Sequence, residues 1–178
     1  MIELVHPDDS NQPASSGHPA RFVVRLADEA DTEALGASLA PALSPGLVVY
    51  LVGDLGAGKT TLVRGLLRAL GHEGKVKSPT YTLIEPYTVS SLNLYHFDFY
   101  RFTEPEEYLD TGLDEYFAGS GACLVEWPDK ASPYVAKPDV EVRLTVAGSG
   151  RIAEVSALTE AGRICITTTK NKLAQNSP

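Results

Sequence analysis

Apolar positions recur along this chain with two different periods, and the switches between them divide it into elements. Phe22-Val23-Val24-Arg25-Leu26 reads as a strand, after which Asp28 can cap a helix whose Leu35 and Leu39 share one face and which ends near Pro41. Pro45-Gly46 resets the direction. Leu47 to Val52 is almost continuously apolar, the pattern of a strand covered on both faces. Leu62, Leu66 and Leu70 then recur at helical spacing with Val63 and Leu67 beside them, and Gly71 supplies a left-handed stop. Leu92 to Phe99 reads as another strand, with Leu94, His96 and Asp98 on one face. The acidic stretch from Glu104 to Phe117 predicts helix broken at Gly112, and Ala122 to Val125 a short buried strand ending in Glu126. Val140, Val142, Leu144 and Val146, then Ile152 to Val155, then Ile164 to Thr168, alternate as strands do. The order predicts an α/β fold, a mixed sheet with a parallel βαβ core and later antiparallel strands, without internal repeat.

The ends of the chain differ in character. Residues 1–20 mix three prolines with Asp, Ser, Asn, Gln and Gly and predict a disordered tail, as does the polar stretch 170–178. Between them, 21–169 is expected to form one domain, a size at which a single core suffices. No apolar run approaches a membrane span, and the first residues lack a basic, then apolar, signal pattern, so the expected compartment is the cytoplasm. Cys123 and Cys165 lie inside apolar runs, as reduced core thiols do. A formal charge of −8 argues against a chain that grips a nucleic-acid backbone unaided. Any link to RNA is expected to run through a partner.

The segment Gly53-Asp54-Leu55-Gly56-Ala57-Gly58-Lys59-Thr60 matches G-x-x-x-x-G-K-[ST] between an apolar strand and an amphipathic helix. Each position has a task there. Gly56 and Gly58 let backbone N–H groups turn toward phosphates, and the helix N-terminus adds its positive end. Lys59, read as a flexible surface cation, reaches the β- and γ-phosphates, and the Thr60 hydroxyl ligates Mg²⁺. The expected nucleotide contacts are Asp54, Leu55, Gly56, Ala57, Gly58, Lys59, Thr60 and Thr61, with ATP or ADP and Mg²⁺ as cofactors. This sets the expected fold as a three-layer sandwich of the P-loop NTPase type.

Mg²⁺ takes one or two carboxylates beside phosphates and a hydroxyl. Glu126, at the end of an apolar strand, stands where such a carboxylate belongs, and its alternative is a solvated strand end. Asp98 also ends a strand, and there a catalytic and a buried structural aspartate are equally open. Ser78-Pro79-Thr80-Tyr81-Thr82 lies where a switch segment sits, with Thr80 able to sense a γ-phosphate or its metal. Trp127, the one tryptophan, reads as simple core, as a partner anchor or as a ring packed under the site.

Four segments together, 53–61, Lys-Ser-Pro-Thr-Tyr-Thr-Leu at 77–83, Tyr-His-Phe-Asp-Phe-Tyr-Arg at 95–101 and Leu-Val-Glu-Trp-Pro at 124–128, resemble the bacterial TsaE (formerly YjeE) family over about residues 22–168. That resemblance implies a P-loop ATPase of tRNA threonylcarbamoyladenosine biosynthesis, slow alone, acting with TsaD and TsaB on adenosine 37. It implies that Lys59 and Thr60 hold phosphate and Mg²⁺, that Glu126 completes the metal site and that Asp98 orients water or reports the γ-phosphate. It further implies that Thr80 belongs to the switch and that Glu29 and Arg151 bracket the nucleotide. Two other readings remain. A small-molecule kinase would need a lid of arginines, but Arg101 is the only one between Arg68 and Arg143. A nucleotide-gated interaction module would need no turnover.

Overall fold

A computed structural model describes residues 2–5 and 20–175. Its eight strands form one sheet in the order β1-β2-β8-β7-β3-β6-β5-β4. They are β1 (Glu3–Val5), β2 (Arg21–Leu26), β3 (Val48–Val52), β4 (Ile84–Val89), β5 (Leu92–Asp98), β6 (Ala122–Glu126), β7 (Val140–Ala147) and β8 (Gly150–Ala157). The helices are α1 (Glu29–Leu39), α2 (Lys59–Ala69), α3 (Asp114–Phe117) and α4 (Glu160–Gln175), with 3₁₀ turns at Ala40–Ala42, Pro105–Asp110 and Pro128–Ala131. The centre of the sheet, β7-β3-β6-β5, is parallel, whereas β1, β2, β8 and β4 pair antiparallel with their neighbours. The mixed α/β architecture expected from the sequence is therefore present.

Two apolar layers explain why this sheet is buried at its centre. On one face, Val49 and Leu51 of β3, Leu124 of β6 and Val142 of β7 pack with Leu35 and Leu39 of α1, Leu62 and Leu66 of α2 and Cys165 of α4. On the other, Val48, Phe97, Cys123 and Val125 meet Phe99, Tyr108 and Leu113 from the segment carrying the 3₁₀ turn and α3. Strand β6 is buried on both sides along its whole length, as a continuous apolar run should be. Helix α2 ends as anticipated: Gly71 sits at φ 91°, and the N–H groups of His72 and Gly71 donate to Leu67 and Arg68 carbonyls.

Helices α1 and α2 touch backbone to backbone. A Cβ at Gly36 would lie 2.0 Å from the Leu62 carbonyl oxygen, and one at Gly65 equally close to that of Glu33. Only glycine permits that approach. Arg64 and Arg68 of α2 close the exposed side of the pair on Glu33 of α1, at 3.4 and 2.9 Å.

Three readings of the sequence change. Ile164 to Thr168 is helix and not strand. Its β-branched residues favour β locally, but Gly162, Cys165, Ile166, Thr169 and Leu173 are buried at helical spacing, and the Thr159 hydroxyl accepts the Gly162 N–H at the start. Tertiary burial of that stripe decides the outcome. The helix runs to Gln175, so 170–175 are not a disordered tail: Leu173 docks against the core. Residues 176–178 lie outside the described residues. At the other end, Glu3–Val5 pairs with Val23–Arg25, and Ile2 and Leu4 pack against the core, so the first residues of the expected tail are a strand. Residues 6–19 lie outside the described residues. Strand β4 was not anticipated, because its Glu-Pro-Tyr-Thr core lacks clean alternation. Pro86 is tolerated there since β4 is an edge strand, and Ser90 and Ser91, both at positive φ, make its turn into β5.

Candidate functional site

The loop between β3 and α2 is built so that its backbone faces inward. Gly58 has φ 107°, a conformation closed to most side chains, and a Cβ there would meet Arg151 Nε at 3.0 Å. Arg151, at the start of β8, donates Nε–H to the Ala57 carbonyl at 2.6 Å and clamps the loop from the far strand. Lys59 is 5% exposed and so is not the surface cation expected. Its Nζ donates to the Gly53 and Asp54 carbonyls at 2.6 and 2.9 Å and lies 4.4 Å from the centre of the Trp127 ring. Burial pushes the Lys59 ammonium below its usual range, while Glu126, Asp98 and Asp54 pull it back up. Two of three N–H donors thus serve the loop, and the third is available to a phosphate.

The carboxylates arrive from neighbouring strands. Asp98 and Glu126 are paired in the β5–β6 register, and both are 3% exposed. Glu126 is therefore no solvated strand end. Its Oε1 accepts the Thr60 hydroxyl and the His96 Nε2–H, each at 2.9 Å. Asp98 accepts the Ser78 hydroxyl, a longer bond of 3.4 Å from Thr80, and the Tyr100 N–H at 2.9 Å. The segment after α2 is tied to the same strand end, since the Leu83 carbonyl accepts the Asp98 N–H at 3.1 Å.

These groups surround one cleft of about 330 Å³. Of the residues expected from the sequence, Glu29, Leu55, Gly56, Gly58, Lys59, Thr60, Thr61, Thr80, Asp98, Glu126 and Arg151 line it. Asp54 and Ala57 do not. Ala57 is buried under the loop, and Asp54 lines a neighbouring groove of about 470 Å³ on the other side of Trp127. Glu29 opens α1 at the rim and is paired with Arg64 at 2.9 Å. Three lining residues were not among the expected contacts: Ser78, Tyr100 and Trp127. Trp127 is half-buried, not core; at φ 55° it turns the chain away from β6 and sets its ring over Lys59 and against Tyr100. Its place directly after a strand-end glutamate was the available signal.

The donor set suits a polyphosphate with a hard cation: a glycine loop at a helix N-terminus, one buried ammonium, and a hydroxyl beside a carboxylate. Among the described residues no group of three or more His, Cys, Asp or Glu side chains forms a metal cage, so an ion here would need ligands from its own phosphates.

The family model for "Threonylcarbamoyl adenosine biosynthesis protein TsaE" matches residues 26–153, from the end of β2 into β8 and across every element that lines the cleft. The chain belongs to the TsaE family. It is 44% identical over 125 residues to the tRNA threonylcarbamoyladenosine biosynthesis protein TsaE of Haemophilus influenzae, covering 70% of this chain and 79% of that one. Against the TsaE proteins of Bacillus subtilis and a Nostoc strain the identities are 41% and 43%, over 70% and 74% of this chain and 77% and 83% of theirs. The crystal structure of Bacillus subtilis YdiB superposes with a TM-score of 0.76 at 31% identity, covering 88% of this chain and 98% of the other. The P-loop NTPase-like fold is thereby shared, and membership of the TsaE family places the chain in tRNA threonylcarbamoyladenosine biosynthesis. No helix among the described residues is long and apolar enough to cross a membrane.

Proposed function

We propose that this chain binds ATP with Mg²⁺ in the cleft, hydrolyses it slowly, and in the cytoplasm serves the TsaD and TsaB subunits, meeting tRNA only through them. The observation that carries the reading is the buried Lys59, held by Gly53 and Asp54 carbonyls beside the Thr60–Glu126 pair. Burying this lysine is costly, the carboxylates of Glu126, Asp98 and Asp54 only partly offset that cost, and a phosphate would add a further anion beside it. Thr60 and Glu126 would hold Mg²⁺, which neutralises charge on the phosphate oxygens when bound.

The remaining roles belong to side chains already in place. Gly56, Gly58 and the first turn of α2 present N–H donors, and Thr61 extends that turn along the nucleotide. Arg151, paired with Leu26 in the β2–β8 register, and Glu29, three residues beyond Leu26, line the same side of the cleft. Asp98, fixed at one oxygen by the Tyr100 N–H, receives the Ser78 and Thr80 hydroxyls on the other, and so can orient a water while linking it to the 78–82 segment. A γ-phosphate that attracts Thr80 away from Asp98 would change that segment's conformation, which gives ATP and ADP different docked surfaces. A kinase is disfavoured, because Lys59 and Arg151 are the cations lining the cleft among the described residues and Arg101 is stacked 3.9 Å over Tyr81.

Titration against purified TsaD–TsaB in a non-hydrolysable ATP analogue and in ADP tests the gating step. Tighter binding with the analogue, abolished in Thr80→Ala, is expected; equal affinity in both nucleotides refutes gating. Absence of any nucleotide binding to the isolated chain refutes the cleft assignment itself.

A further inference from the structure

We infer that His96 is a positioning residue for Glu126, holding its carboxylate in the corner of the cleft where the metal is proposed to bind. The inference rests on that metal reading. His96 is fully buried on β5, opposite Leu124 of β6, with its Nε2 2.9 Å from Glu126 Oε1. A carboxylate oxygen accepts, so Nε2 is the donor, and Oε1 also takes the Thr60 hydroxyl. With both donors on Oε1, the second oxygen is left to meet an ion. A glutamate has three rotatable bonds, so losing either donor widens the positions this carboxylate samples.

The other nitrogen of the ring shows why a histidine here is not simply core. Nδ1 is buried with no hydrogen-bond partner among the described residues, a desolvation cost that nothing offsets. Leu94, two positions earlier on the same face, and Leu124 beside it belong to the apolar core. A leucine at position 96 would suit that surface better. The imidazole is unfavourable for the fold and useful only through its bond to Glu126, so fold and site should respond to substitution in opposite directions.

The test compares His96→Leu, His96→Gln and Glu126→Gln with the parent. Two readouts are needed: melting of the ligand-free protein, and the Mg²⁺ concentration that half-saturates ADP binding, followed by fluorescence of the single tryptophan, Trp127, in the cleft. His96→Leu should melt at or above the parent temperature yet need about tenfold more Mg²⁺, the usual scale for losing a partner that orients a metal ligand. His96→Gln, whose amide can donate to Oε1, should recover most of that loss. A destabilised His96→Leu with unchanged Mg²⁺ requirement overturns the inference, as do equal shifts in the Leu and Gln variants. If Glu126→Gln leaves the Mg²⁺ requirement unaltered, the metal reading itself fails; a shift in Glu126→Gln without one in His96→Leu sinks the His96 role alone.

Discussion

Replacing Lys59 with methionine separates what the ammonium does for the fold from what it does for a ligand. Methionine keeps most of the stem that packs beneath Trp127 and removes the charge. The fold loses two hydrogen bonds, to the Gly53 and Asp54 carbonyls, but is relieved of a buried cation. Because burial outweighs the pull of the surrounding carboxylates on Lys59, the ammonium is on balance poorly solvated where it stands. Gain and loss nearly cancel, giving a stability change within about 1 kcal/mol, or about 2–4 °C for a chain of this size. The phosphate contact has no such compensation: one charge-assisted hydrogen bond is worth about 1.5–3 kcal/mol, and at about 1.4 kcal/mol per decade the affinity falls about 10- to 150-fold. Thermal melting without ligand and Trp127 fluorescence titration with ATP or ADP measure the two sides. A drop of more than about 10 °C with nucleotide affinity intact would refute the reasoning, since the lysine would then be structural.

Glu126→Gln should weaken Mg²⁺-dependent nucleotide binding, whereas Asp98→Asn should bind nearly as the parent and hydrolyse at least about a hundredfold more slowly; equal effects of the two on binding would contradict the division of roles. Gly65→Ala places a methyl against the Glu33 carbonyl at 2.0 Å and should cost at least about 1–3 kcal/mol by urea unfolding, with a parent-like midpoint disproving the close contact. Burial pushes the Cys165 thiol up to about 11 and that of Cys123 to about 12, so the folded state keeps protons that the unfolded state gives up above about pH 9. Their contribution is complete below the ordinary thiol range and is lost as pH rises toward those values, by at most about 1.4 kcal/mol per pH unit for each group. Cys165→Ala should therefore flatten the alkaline decline between pH 9 and 11, and an unchanged slope would show that this thiol does not contribute.

The centre of the molecule was legible because there one signal dominates. The run 122–126 is buried along its whole length and 47–52 is buried except for the partly exposed Tyr50 and Val52, and the two carry Glu126 and the loop at their ends, so strand and site were read together. Asp98 was also legible as a strand end, and Thr80 as a residue lining the cleft beside it. What escaped was decided by distant partners. Helix α4 looked like a strand over five residues, and only its docking stripe from Gly162 to Leu173 shows otherwise. Lys59 seemed exposed because nothing local reveals that Trp127 covers it. Trp127 in turn owes its place to a left-handed backbone angle, which no propensity anticipates for a bulky residue.

The backbone contact between α1 and α2 has a mechanical consequence. With Gly36 seated on Leu62 and Gly65 on Glu33, neither helix can slide or tilt past the other without a steric collision, so the pair moves as a rigid block that carries Glu29, the loop and Thr60 together. Any breathing of the cleft must then come from the wall formed by Ser78, Thr80 and Tyr100, which is tied to the end of β5 mainly through hydrogen bonds to Asp98. One jaw is fixed and the other hinged: amide hydrogens in the middle of α2 should exchange only on global unfolding, while those of 78–83 exchange through local opening and slow down when a ligand closes the hinge.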